Sequence, residues 1–274
     1  MDLLFDLGNT RMKIAYGDDT GVHALAAIAW DAPDFLAQWH ALSIALPQRI
    51  GIANVTRSHR LDALRELLVT RFPGVPVGVA ESRACCGRLQ VAYAHPEHLG
   101  VDRFLALLAA SAVAAPQLIV GAGTALTIDA IDANGLHHGG LIMPGVSLMR
   151  EAITTRAPGV RWSTEAFSTD FADDTASALE SGVWCALAGA VERSAQRWVL
   201  RDGHAASVVL HGGDAAMLST QLAIPTRRDA LIVMRGLVAY LDDAARTEAR
   251  VSDASVTDTS MTDVPVTRSP ATSA

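Results

Sequence analysis

The chain has 274 residues, 50% hydrophobic and 19% charged, which is enough apolar surface for a sizeable core and excludes a wholly disordered protein. A net charge of −7, with a pI of about 5.7, argues against a protein built mainly to neutralise nucleic-acid phosphates. Cys85, Cys86 and Cys185 are the 3 cysteines and make neither a disulfide framework nor a zinc-ligand spacing.

Asp2–Asp6 and Arg11–Tyr16 read as strands around a tight Gly8-Asn9-Thr10 turn. Charged residues at 2 and 6 stand where a signal peptide needs an apolar stretch, so the chain is expected to be cytoplasmic. Arg49–Val55 and Val75–Ala80 are further strands, and between them Leu61, Leu64, Leu68 and Phe72 recur at helical spacing behind Ser58 as a cap. A buried helix is predicted from Asp102 to Ala115, ending at Pro116. The apolar run inside it, Phe104 to Ala115, is too short to cross a bilayer. A second strand set follows: Leu118–Val120, the turn Gly121-Ala122-Gly123, Thr124–Ile131, an Asn134-Gly135 hairpin and Leu136–Met143. Thr175 to Leu200 has a long helical pattern, Ser207–Leu210 reads as a strand and Arg228 to Ala245 as a last helix. From Thr247 the composition turns Ser/Thr-rich without aromatics, and residues 247–274 are expected to be disordered.

Asp6-Leu7-Gly8-Asn9-Thr10 is echoed by Gly121-Ala122-Gly123-Thr124-Ala125, each copy following one apolar strand and preceding another. Alternating strands and helices with such an echo predict an α/β protein of two related halves, residues 1–115 and 116–246. A glycine turn brings backbone N–H groups close to an anion, an aspartate at a strand end suits Mg²⁺, and Lys13 can reach a phosphate. The same turn alone is equally an ordinary hairpin. There is no Gly-Lys-Ser/Thr loop and no Gly-x-Gly-x-x-Gly opening a helix. A third glycine turn, Leu210-His211-Gly212-Gly213-Asp214, follows the late strand.

Three such turns across two halves resemble the nucleotide cleft of the actin–hexokinase–Hsp70 superfamily. The resemblance narrows at Gly100-Val101-Asp102-Arg103, which is similar to the Gly-x-Asp-Arg signature of type III pantothenate kinases. Asp6-x-Gly8-Asn9-Thr10, Gly123-Thr124-Ala125-x-Thr127-x-Asp129, Gly139-Gly140-x-Ile142-x-Pro144-Gly145 and Gly212-Gly213-Asp214 also match, in the family's order. The resemblance implies mixed sheets flanked by helices with an ATP cleft between the halves. It implies transfer of the γ-phosphoryl of ATP to the primary hydroxyl of pantothenate, the first step towards coenzyme A.

By that resemblance Asp102 is the general base, and Tyr93, Gly100, Val101, Arg103 and Thr175 line the pantothenate pocket. Asp6 organises Mg²⁺; Gly8, Asn9, Thr10, Lys13 and Thr124 meet the phosphates; Gly212 and Gly213 lie under the adenosine. Simpler roles stand beside these: helix capping for Asp102 or Thr175, a surface ion pair for Arg103, and a structural use for Asp129. Many members carry aspartate where this chain has Gly121, as part of a K⁺ or NH₄⁺ site, so the monovalent-cation requirement is in doubt here. The resemblance also implies a homodimer with the pocket near its interface. Trp184, Val191 and Trp198 read as core or subunit interface, and the adjacent His137 and His138 point to opposite sheet faces and cannot share a metal. The competing readings are another small-molecule kinase or a phosphatase of the same fold, and a non-enzymatic nucleotide-binding factor in gene regulation. No membrane partner is expected, and the absence of clustered arginines in a helix-turn-helix pattern weighs against nucleic acid.

Overall fold

Asp2–Leu7 is buried along its whole length, which requires cover on both faces, and it forms β1 at the centre of a five-stranded sheet. The computed structural model describes residues 1–56, 58–157, 159–162 and 171–258. β1 pairs antiparallel with β2 (Arg11–Asp18), and β2 antiparallel with β3 (Gly21–Ala29). On its other side β1 pairs parallel with β4 (Arg49–Asn54), and β4 parallel with β5 (Val77–Val79). Helices α1 (Phe35–Ala41) and α2 (Ser58–Arg71) belong to this half. Trp39 of α1 and Leu64 and Leu68 of α2 are buried with Phe5 and Ile52 on one face of the sheet. The capping role read for Ser58 concerns a side chain outside the described ones.

A short ribbon of β6 (Cys85–Cys86) and β7 (Leu89–Gln90) and a 3₁₀ turn at Pro96–His98 lead into α3 (Val101–Ser111). The second sheet then repeats the first. β8 (Gln117–Ala122) is central, antiparallel to β9 (Ala125–Ile131), which pairs antiparallel with β10 (His137–Pro144). After α4 (Val146–Arg156) and α5 (Thr175–Asp202), β11 (Ser207–His211) joins β8 in parallel. α6 (Ala215–Thr220) leads to β12 (Thr226–Arg228), parallel to β11. The spatial orders β3-β2-β1-β4-β5 and β10-β9-β8-β11-β12 are one topology used twice. The α/β fold of two related halves, each a mixed sheet flanked by helices, is therefore present as expected from the echo and the resemblance.

The register makes the echo exact in space. Asp6 faces Lys13 across the first hairpin and Gly121 faces Thr127 across the second. Gly8 N–H closes its turn on Arg11 O at 3.1 Å, and Gly123 N–H closes its own on Ala125 O at 3.1 Å.

The last helix, α7 (Ile232–Asp258), lies where the two halves meet. Leu237 and Tyr240 of α7 share one buried cluster with Phe104 and Leu105 of α3, Leu4 of the first sheet and Val209 of the second. The crossing with α3 is close: a Cβ on Gly236 would overlap the carbonyl of Leu105. Although α7 follows the second sheet in the chain, Leu237 and Leu241 pack beneath Gly51 of β4. Arg49 ties Asp2 of β1 to Asp242 of α7. The helix runs to Asp258, eleven residues beyond Thr247, where the sequence analysis expects disorder to begin. Residues 259–274 lie outside the described ones. Trp184, Val191 and Trp198 of α5 are buried with Val120 and Leu210 of the second sheet, so they serve the core of their own half.

Candidate active site

The two hairpin turns carry the first group of polar residues. Asp6, near the end of β1, is 6% exposed, and its Oδ2 accepts a hydrogen bond from Lys13 Nζ at 3.0 Å. This pairing follows from the antiparallel register. Asn9 and Thr10 are exposed at the tip of the turn.

In the second half three turns meet. Thr124 is exposed, and its carbonyl accepts Gly145 N–H at 3.0 Å. Asp214 N–H donates to Ala122 O at 3.1 Å. Between them Gly212 has φ +97, and a side chain there would collide with the Ala122 carbonyl, so only glycine lets this turn sit on the end of β8. Gly121 is different. Its φ is not positive, but a Cβ on it would lie 2.7 Å from Thr127 Oγ1 and 3.0 Å from His211 Nε2. The imidazole of His211, paired in register with Gly121, fills the space that a side chain at 121 would need. Burial, assisted by the positive charge of Lys13, pushes the His211 imidazole down to about 4, so it is neutral at neutral pH.

α3 brings the next group. Its cap position is Gly100, not Asp102. Asp102 Oδ1 accepts the amide of Arg103 at 2.9 Å. Burial raises its carboxyl above the ordinary carboxylate value, and the negative charge of Asp6 raises it further, outweighing Arg103. The two carboxyl groups are therefore close enough for the charge of one to act on the other.

Arg103 is 5% exposed and makes no surface ion pair. Its Nε donates to Asp129 Oδ2 at 2.8 Å and its Nη2 to Asp129 Oδ1 at 2.6 Å, a bidentate clamp. Its Nη1 donates to Tyr93 Oη at 3.2 Å. His137 Nε2 lies 3.1 Å from Asp129 Oδ1, and the His137 ring stacks on half-buried Tyr93 at 5.8 Å. Burial alone would raise the Asp129 carboxyl, but the bonds from His137 and Arg103 hold it below its usual value. Asp129 of the second half is thus held by Arg103 and His137. His138 turns the other way, to Asp132 at 3.1 Å, as alternation along a strand requires.

Thr175 is the first residue of α5 and is exposed. The cap is Asp174, whose Oδ1 accepts the amides of Ala176 at 2.9 Å and Ser177 at 3.0 Å, which leaves Thr175 free of capping. Among the described residues no cluster of three or more His, Cys, Asp or Glu side chains has metal-binding geometry. Asp6 is bonded to Lys13 and lies close enough to Asp102 and His211 to act on their charge, and Arg103, next to Asp102 in the chain, is bonded to Tyr93. His211 was not singled out from the sequence. Its signal was the register: it ends β11 as the immediate neighbour of the position where Asp6 is replaced by glycine.

The chain is similar to known proteins over most of its length. The profile of the type III pantothenate kinase family matches residues 2–197. The type III pantothenate kinase of Stenotrophomonas maltophilia (strain R551-3) is 42% identical over 224 residues, covering 79% of this chain and 88% of that protein. That of Xanthomonas campestris pv. campestris (strain B100) is 38% identical over 243 residues, covering 88% and 98%. Among solved structures, one described as a Baf family transcriptional activator of Campylobacter jejuni is similar with a TM-score of 0.55 at 21% identity, covering 89% of this chain and 99% of that one. At that identity the likeness is one of fold.

Proposed function

The chain belongs to the type III pantothenate kinase family, and on that premise we propose how the residues of its cleft divide the work. The activity is ATP-dependent phosphorylation of pantothenate in coenzyme A biosynthesis. The observation that carries the mechanism is the position of Asp102, half-buried in the first turn of α3 with its Oδ1 on the Arg103 amide, where desolvation and the charge of Asp6 raise its proton affinity. A carboxylate of raised basicity at the acceptor side is suited to taking the proton of a primary hydroxyl as the new P–O bond forms.

On the nucleotide side Lys13 is the mobile charge. Its side chain is 42% exposed while its Nζ neutralises Asp6, so it can swing to a phosphate oxygen and release the carboxylate. Asp6 fits Mg²⁺: it is a buried oxygen donor at a strand end, and among the described residues its Oδ1 makes no hydrogen bond. When bound, Mg²⁺ supplies neutralisation of the charge on the transferring phosphoryl group. Gly8, Asn9, Thr10 and Thr124 offer turn N–H groups and hydroxyls to the phosphates, and Gly212 and Gly213 a flat floor for the adenosine. Arg103 uses three of its five N–H bonds on Asp129 and Tyr93, leaving two for pantothenate. Tyr93, Gly100, Val101 and Thr175 complete that pocket.

The residues do not fit the aspartate-based monovalent-cation site of the family. Gly121 brings no side-chain oxygen, and the His211 ring stands in its place. Asp129 cannot stand in, because both its oxygens are engaged by Arg103 and one also by His137. No step of the reaction is assigned to K⁺ or NH₄⁺. For the homodimer, edge strand β10 and α4 offer exposed Leu141, Ile142, Leu148 and Ile153 as the surface for a second copy. The three free cysteines suit the reducing cytoplasm, and among the described residues no helix is long and apolar enough to cross a membrane. The test is ADP release with Mg·ATP against a panel of small alcohols: turnover is expected with pantothenate, and equal turnover with all alcohols would defeat the assignment.

A further inference from the structure

We propose that Trp30 and Arg60 are positioning residues for the nucleotide phosphates, acting through the backbone of the Gly8–Thr10 turn. The proposal rests on the reading of that turn as a phosphate contact and goes on to say what orients it. Among the described residues, three consecutive carbonyls of the turn are bonded by these two residues. Trp30 Nε1–H donates to Gly8 O at 2.7 Å. Arg60 Nη1 donates to Asn9 O at 2.7 Å. The backbone amide of Trp30 donates to Thr10 O at 3.1 Å.

The two residues also fix each other. The Arg60 guanidinium lies 4.8 Å from the Trp30 ring centroid, and the indole also stacks with Phe35 at 5.6 Å and 20°. Trp30 follows β3, and Arg60 sits in the first turn of α2, so two separate elements converge on one turn.

A trans peptide holds its N–H opposite its C=O. Because the Gly8 and Asn9 carbonyls are turned to Trp30 and Arg60, the N–H groups of Asn9 and Thr10 are aimed away from them. Neither N–H donates to a backbone group among the described residues, and both residues are exposed. Adjacent unpaired amides directed alike form an anion-binding concavity. Rotating either peptide would present a carbonyl oxygen to the phosphate instead, so the two side chains select the binding-competent orientation. Neither needs to touch the nucleotide to do so.

The test uses the full-length protein and two mild variants. Trp30→Phe keeps a ring against Phe35 and removes the indole N–H; Arg60→Met keeps the stem and removes the guanidinium. Affinity for Mg·ATP and for adenosine is measured by calorimetry, with steady-state kinetics and melting alongside. Each variant is expected to weaken ATP binding and raise the KM for ATP about three- to tenfold, the worth of one hydrogen bond. Adenosine affinity, the KM for pantothenate and kcat at saturating ATP should stay within about twofold by the same reasoning, since no phosphate is lost from those comparisons. Unchanged ATP affinity in both folded variants, or equal weakening of ATP and adenosine, would overturn the proposal. If the parent protein bound no ATP at all, the kinase reading of the turn would fall with it, an outcome distinct from normal ATP binding unaffected by the substitutions.

Discussion

Asp102 combines two properties that oppose each other. The desolvation of its half-buried carboxyl and the nearby Asp6 raise its proton affinity and also make its charge costly to hold. A carboxyl whose folded-state value is raised contributes stability below its unfolded value and loses that contribution as pH rises through the folded one. At neutral pH its ionised form is therefore a net cost. Asp102→Asn keeps an Oδ1 to accept the Arg103 amide, so the melting temperature at pH 7 to 8 should hold or rise. Turnover should meanwhile fall by roughly 10²–10⁴-fold, the usual worth of a general base. A folded variant with near-parental turnover would remove the assignment. The rate of the parent enzyme should also fall on the acid side at a pH above the ordinary carboxylate value of 3.8, and a pH profile of kcat/KM for pantothenate reads this directly. His211 has the opposite sign. With a folded value of about 4 against 6.5 when unfolded, its stabilising contribution is complete above 6.5 and is lost as pH falls through that window.

At the scale of elements, the duplicated hairpins decide what the cation question can be. In the first hairpin a carboxylate faces a lysine; in the second a glycine faces a threonine, with an imidazole alongside. Activity in Na⁺- and NH₄⁺-free buffer should therefore be insensitive to added K⁺, and a steep K⁺ activation curve would show that other groups hold the ion. Gly121→Asp should lower the melting temperature unless His211 is also made small, because the new side chain must displace Thr127 and the ring. A second element-level prediction concerns the helix crossing. Gly236→Ala drives a methyl into the Leu105 carbonyl, and overpacking of this kind costs about 1–3 kcal/mol. The melting temperature should fall by several degrees; an unchanged value would mean α3 and α7 are not in close contact in solution. The strands and long helices were legible because their apolar runs are continuous or periodic, as in β1 and α5. β3 was missed since its residues are mostly half-exposed and small, and α4 because Val146 is its one buried residue. Asp6 and Asp102, the carboxylates proposed for the chemistry, stand out in the sequence through their motifs. The His211 packing and the Trp30–Arg60 brace do not, because each depends on residues brought together only by strand register or by the packing of distant segments.

For the molecule as a whole, one topology used twice gives each half a glycine hairpin, and α3 and α7 join the two sheets in one buried cluster. α3 carries Asp102, the proposed base, at its first turn while its buried face joins both halves, so the position of Asp102 is tied to the arrangement of the whole core. The central claim is that this cleft transfers phosphate from ATP to pantothenate with Asp102 taking the proton. The most direct measurement is ADP formation by the purified full-length protein with Mg·ATP and pantothenate, run beside Asp102→Asn and with phosphopantothenate quantified in the same samples. The account predicts one phosphopantothenate per ADP, dependence on Mg²⁺, and near-complete loss in the variant despite intact ATP binding. ADP released without pantothenate being phosphorylated, or equal rates in parent and variant, would contradict it.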